Sequence, residues 1–314
     1  MRLLARCLLV PVLVGLAAPA WGFVRTPTCL DDNPSHPFAC RDGEEPIPLA
    51  WFQRCVTYTV NVNATADVDD PQIAFDAIER SFAVWNELDC SFLEMRRSAI
   101  NDDDNVGLSS DGFPNGNVIV FVDEGWRHPA NIQALTSVSY DPRDGRIADA
   151  DIEFNSQRFN FGVVDGDNGR FTTDIENTLV HEAGHFLGLD HTTTENFVGD
   201  EAEVPDATMY ATAQTGETQK RTLHPDDAAG ACDAYPLAAD PGDDCGCEPN
   251  GDEWSEPSGS CTPDWAAVGG TPGGGDDDDD GRRRKGCAAT GAPAPGPAAL
   301  IALGLIALRP RRRS

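Results

Sequence analysis

The sequence predicts a mixed α/β (α+β) domain over residues 48–237, on three observations. Five short segments, 55–63, 91–96, 117–124, 134–140 and 146–155, have the alternating or continuously apolar pattern of strands. Two longer segments, 71–88 and 173–187, repeat apolar residues at helical spacing. Loops rich in Asp, Gly, Asn and Pro separate them, and no internal repeat is visible.

The first strand, 55–63, reads CVTYTVNVN, alternating and rich in β-formers. Asp70 then offers a helix N-cap and Pro71 a first-turn proline. Ala74, Ala77, Ile78, Phe82, Trp85 and Leu88 follow on one helical face. Residues 91–96 form a short strand, 101–117 an Asp/Gly/Asn loop, and 117–124 a buried strand. Residues 134–140 and 146–155 flank the turn Asp141, Pro142, Arg143, Asp144, Gly145, the composition of a hairpin. The second helix, 173–187, carries the histidines discussed below.

The two ends read as addresses. Residues 1–22 hold Arg2 and Arg6, an apolar stretch from Leu8 to Leu16, and small residues at Ala18, Ala20 and Gly22. That is the layout of a signal peptide cleaved near Ala20 or Gly22; a retained membrane helix is the alternative, but a span needs about 20 apolar residues. A polar, Pro-rich segment fills 23–47, and an acidic Gly/Pro/Cys-containing linker fills 238–281. Residues 282–314 contain Gly286 and Cys287, a small-residue spacer, an apolar run from Pro297 to Leu308 and a basic terminus. This tail resembles the carboxy-terminal sorting tails of myxobacterial surface proteins, with a plain membrane anchor as the alternative. Either way the chain is expected outside the cell or on a bacterial surface, touching membrane only through this tail.

Charge narrows the partners. Lys and Arg total 23 against 52 Asp and Glu, a formal net of −29. Residues 23–281 hold 13 of the basic residues and all 52 acids, a body that repels nucleic acid. The 40% of hydrophobic residues supplies a core. Of ten cysteines, Cys7 and Cys287 lie in the end segments. The other eight suggest disulfides in an exported chain, with connectivity unreadable; a zinc-thiolate cluster is disfavoured because paired Cys-x-x-Cys spacing is missing.

The chemistry lies in residues 181–191, HEAGHFLGLDH. His181 and His185 stand four apart, on the same face of a helix, where both imidazoles can reach one Zn²⁺ at about 2.0–2.1 Å. Gly188 can end that helix in a left-handed conformation and return the chain, so that His191 supplies a third ligand. Three histidines leave a coordination position open, the catalytic rather than the structural pattern. Glu182 is placed as general base for water on the metal. Two rival readings are a surface adhesion module with a structural zinc, and a zinc amidase acting on cell-wall peptides.

The pattern His181-Glu182-x-x-His185-x-x-Gly188-x-x-His191, followed by Met209, resembles the metzincin metallopeptidases. It is most similar to the matrixins through Gly188 to Thr192, Ala207 to Tyr210, and Leu223 to Asp227 leading to Tyr235 and Pro236. The resemblance covers residues 48–237. It implies a twisted mixed sheet of about five strands, an active-site helix and a Met-turn. It implies zinc held by His181, His185 and His191, Glu182 as base, and Met209 as the floor under the imidazoles. It implies a zinc metalloendopeptidase that cuts protein or peptide substrates, with 134–140 as a free edge strand pairing with extended substrate. A monomer is expected.

The chain departs from the family in two places. His191 and Met209 are 18 residues apart, longer than matrixins usually have, so specificity does not transfer. A Pro-Arg-Cys-Gly latency motif is missing, and thiolate latency is not expected. Structural calcium is the second cofactor expectation, from the Asp-rich loops 102–105, 141–144 and 165–167, with solvated acidic loops as the alternative.

Overall fold

The computed structural model describes residues 22–30, 38–108, 116–166, 170–197, 201–242 and the backbones of 299–303 and 307–308. In chain order the elements are β1 (Val24–Arg25), β2 (Cys55–Asn61), α1 (Pro71–Asn86), β3 (Glu94–Asn101), β4 (Asn117–Phe121), β5 (Ala134–Tyr140), β6 (Ile147–Phe154), β7 (Phe161–Gly162), β8 (Thr173–Asp174), α2 (Ile175–Phe186), β9 (Leu189–Asp190), β10 (Thr212–Ala213), α3 (Pro225–Ala234), β11 (Ala299–Leu303) and β12 (Ala307–Leu308). Residues 1–21, where a signal peptide is expected, most of the 238–281 segment and the Cys287 region lie outside the described residues. Among the described residues no helix is long and apolar enough to cross a membrane.

The sheet has the order β11-β5-β6-β4-β2-β3. Strands β3, β2, β4 and β6 are parallel, and β5 runs antiparallel to β6 through the expected hairpin. The five strands from β2 to β6 form the mixed sheet that the sequence predicts. One expectation needs correction: the outer edge of β5 is not free. It pairs antiparallel with β11, from Ala299↔Tyr140 to Leu303↔Thr136, and β12 pairs parallel with β10. The tail's short apolar runs satisfy backbone groups that an edge strand would leave open.

Helix α1 begins where Asp70 accepts from the Gln72 amide at 3.0 Å, with Pro71 in the first turn. Its inner face, Ala74, Ala77, Ile78, Phe82 and Trp85, is fully buried against α2 and the sheet. Phe82 stacks on Tyr58 at 4.0 Å between ring centroids and meets Phe186 edge-on at 5.7 Å. Each such side chain contributes about 1.5–3 kcal/mol through burial. Strand β3 extends to Asn101, beyond the predicted 91–96, because its parallel ladder with β2 continues to Asn61↔Asn101. Among the described residues the disulfide Cys29–Cys40 closes the amino-terminal loop, and Cys90–Cys232 ties the chain after α1 to α3. Helix α3, capped by His224 with Pro225 in its first turn, packs its Ala231 and the following Tyr235 into the same core.

Candidate metal centre

Helix α2 is the element on which the site is built. Asp174 caps it by accepting from the Asn177 amide at 2.7 Å, and Arg221 holds that carboxylate from the other side. Val180, His181, Glu182, Ala183 and His185 are all fully buried, so the helix is covered on every side. Its carboxyl end is finished by side chains. The Trp51 indole donates to the Phe186 carbonyl at 2.9 Å, and the Tyr235 hydroxyl donates to the Leu187 carbonyl at 2.6 Å. These are carbonyls that the helix itself leaves without partners.

Gly188 follows with φ of 86°, and a Cβ there would lie 2.6 Å from the Leu49 carbonyl oxygen. Only glycine satisfies both the left-handed backbone and the close approach. The turn delivers Leu189 and Asp190 to β9, which pairs antiparallel with β1, and His191 comes back over the helix as predicted.

The three imidazoles converge. Ring centroids are 4.9 Å apart for His181 and His185, 4.7 Å for His185 and His191, and 5.3 Å for His181 and His191. One ligand atom from each lies within 4.8 Å of the others. His181 Nδ1 lies 2.7 Å from the Thr208 carbonyl and His185 Nδ1 2.8 Å from the Leu189 carbonyl. Those carbonyls accept the Nδ1 protons and leave each Nε2 lone pair facing inward. His181 Nε2 is buried with no hydrogen-bond partner among the described residues. Burial pushes His181 well below the usual imidazole range, His185 down to about 4 and His191 to about 3. Neutral imidazole is the metal-binding form, so these residues fit a zinc ion. Among the described residues this is the one side-chain cluster able to hold a metal. The Asp-rich loops assemble no second one there. Asp141 is instead taken up by Arg143, and of loop 165–167 only Asp165 and Gly166 are described.

Glu182 faces the triad's neighbourhood from the same helix. Its Oε2 accepts from the Thr136 hydroxyl of β5 at 2.6 Å, while Oε1 is buried with no partner among the described residues. Burial pushes its carboxyl up to about 8, against the pull of the Thr136 hydrogen bond and the Lys220 ammonium.

Met209 packs against the same helix. The Thr208 and Met209 amides donate to the two oxygens of buried Asp227 at 2.6 and 3.2 Å, which fixes the turn. The Thr192 amide donates to the Met209 carbonyl at 3.0 Å and ties that turn to the loop carrying His191. A Cβ on Gly184, between the two helical histidines, would lie 2.2 Å from Met209 Sδ. Met209 is thus pressed against a bare stretch of helix backbone.

A family model described as Matrixin matches residues 50–236, more than half of the chain. The chain belongs to the matrixins. This matrixin has no match among curated proteins. Membership implies a zinc-dependent metalloendopeptidase that acts on protein or peptide substrates.

Of the predicted site residues of this matrixin, His181, His185 and His191 converge on one point, Glu182 stands next to His181 on the same helix, and Met209 packs against Gly184 of that helix. Sequence reasoning missed Thr136, Asp227, Lys220, Trp51 and Tyr235. Three left a signal. Asp227 and Tyr235 stand in the stretch that resembles the family, and Lys220 is the single lysine between residues 23 and 281.

Proposed function

We propose that the chain is an exported zinc metalloendopeptidase in which His181, His185 and His191 hold the ion and Glu182 is the base. One observation carries this reading: two buried imidazoles and a half-buried third, with converging ligand atoms, stand next to a carboxylate that keeps one oxygen unengaged. Zinc supplies Lewis acidity to a water molecule and to the scissile carbonyl. Thr136 fixes Glu182 through Oε2, so Oε1 is the oxygen that takes the proton and returns it to the leaving nitrogen. The substrate lies extended between β5 and β10, a placement supported by the antiparallel and parallel pairing those strands make with β11 and β12. Cys29–Cys40 and Cys90–Cys232 are compatible with the oxidising exterior that the signal-peptide reading requires.

The test is paired. Glu182→Gln should keep about one zinc per chain and lose about 10²–10⁴-fold in peptide turnover. His185→Ala should lose zinc and turnover together. Wild-type turnover in Glu182→Gln would move the base elsewhere, and loss of its zinc would give Glu182 a structural role instead.

A further inference from the structure

Lys220 is fully buried in the short helical turn Gln219–Arg221. A buried ammonium costs several kcal/mol unless its protons are taken up, so its surroundings are informative. Its backbone amide donates to Asn177 Oδ1 at 2.8 Å, one turn before His181 on α2. The neighbouring Arg221 holds the Asp174 cap of the same helix and the Val164 carbonyl. The turn is thus fastened to the start of the histidine helix at two points.

From that anchor the side chain reaches across to the segment after Met209. Nζ donates to the Tyr210 carbonyl and, at 3.2 Å, to the Thr212 carbonyl. No carboxylate forms an ion pair with it among the described residues. Nζ thus spans residue 211 and ties the Tyr210 carbonyl to that of Thr212, where β10 begins. Lys220 therefore ties down the carbonyls on one edge of 210–213, while on the other the Ala213 carbonyl accepts from Gln133 Nε2 at 3.4 Å. That segment includes β10, which takes the parallel strand β12. No neutral side chain fits the task as well. Glutamine would bury an acceptor, and methionine of similar length has no donor at all.

We propose that Lys220 is a positioning residue for substrate: its ammonium, bonded to the Tyr210 and Thr212 carbonyls, holds residues 210–213 as a rigid wall along which an extended peptide pairs opposite β5. The proposal rests on the peptidase reading above. Lys220 touches neither the imidazoles nor Glu182 through a hydrogen bond, so its removal should weaken peptide binding without stripping the metal.

The experiment compares Lys220→Met, Lys220→Gln and Lys220→Arg with the wild-type full-length chain. Zinc content, kcat and KM on an internally quenched peptide, and hydrogen exchange of the 210–216 amides are read for each. Lys220→Met should keep about one zinc, raise KM on the order of tenfold, and leave kcat within about threefold, the scale of losing a charge-assisted hydrogen bond. Its 210–216 amides should exchange about tenfold faster or more. Lys220→Arg should recover most of both effects, and Lys220→Gln should fall between Arg and Met. Unchanged KM and exchange in a folded Lys220→Met overturns the proposal. Lost zinc and kcat at constant KM and exchange also overturns it, because the residue would then act through the metal. If Lys220→Met does not fold, wild-type KM and exchange in Lys220→Gln overturns it. A wild-type chain that cuts no peptide refutes the peptidase reading, while hydrogen exchange still decides whether Lys220 rigidifies the wall.

Discussion

Gly184→Ala adds one methyl group in the middle of the metal helix, and its consequence can be worked out from two opposing terms. Replacing glycine by alanine inside a helix gains about 1 kcal/mol from backbone entropy. The new Cβ would stand 2.2 Å from Met209 Sδ, 3.0 Å from Met209 Cε and 3.2 Å from the Trp85 ring. Trp85 cannot yield easily, because its indole donates to the Val180 carbonyl at 3.0 Å. Met209 must move, and it is buried above a turn pinned by Asp227. Overpacking of this kind costs about 1–3 kcal/mol. The net expectation is a loss of up to about 2 kcal/mol, or up to about 8 °C in Tm at about 2–4 °C per kcal/mol for a domain of this size. The decisive assay is a double-mutant cycle by urea unfolding. Met209→Ala removes Sδ and Cε, so Gly184→Ala in that background should show its helix-propensity gain. The coupling should be about 1–3 kcal/mol. If Gly184→Ala stabilises the otherwise wild-type chain, or if the two changes add within about 0.5 kcal/mol, the contact between helix and Met-turn does not exist as described.

Two further outcomes follow from the charges and cross-links. The Arg143 hydrogen bonds hold the Asp141 carboxyl down to about 2, below its usual value, so the stability it contributes is complete above that usual range and is lost as pH falls toward about 2. Asp141→Asn should flatten the acid side of a Tm-against-pH curve between about pH 4 and 2, and an unchanged slope would show that other carboxylates set it. Replacing both Cys90 and Cys232 by serine opens a link between residues 142 apart and should lower stability by about 2–4 kcal/mol in chemical denaturation, with the zinc helix intact in the folded fraction; no measurable change would mean that α3 is held by packing alone.

What was legible in the sequence is what short-range spacing encodes. The face of α1, the hairpin between β5 and β6, and the three histidines with Gly188 all depend on residues within about a dozen positions of one another. The left-handed glycine could be inferred because a helix must stop before His191 can return. The partners that finish the site come from far along the chain. Thr136 reaches Glu182 across 46 positions, and Trp51 reaches Phe186 across 135. Nothing local distinguishes that threonine from any other strand residue. Helix α3 was visible only as a likeness of its first residues, because its composition is weakly amphipathic and its role is to bring Asp227 under the Met-turn. The covered edge of β5 was illegible for a different reason: the apolar tail reads equally well as a membrane or sorting segment, and pairing choice is a tertiary decision.

Trp51 and Tyr235 stand at the two ends of the catalytic region, and the Trp51 amide donates to the Tyr235 hydroxyl at 3.1 Å, so both ends meet at the carboxyl end of the histidine helix. During synthesis the amino-terminal half of this bracket emerges first, followed by the histidines, the methionine turn and Asp227, and Tyr235 last. Until that tyrosine arrives, the Leu187 carbonyl lacks its donor and the turn toward His191 is held from one side only. The metal pocket is therefore among the last parts of the domain to set. A chain still being made carries the parts of this site only as separated pieces, which meet when the last strut is in place.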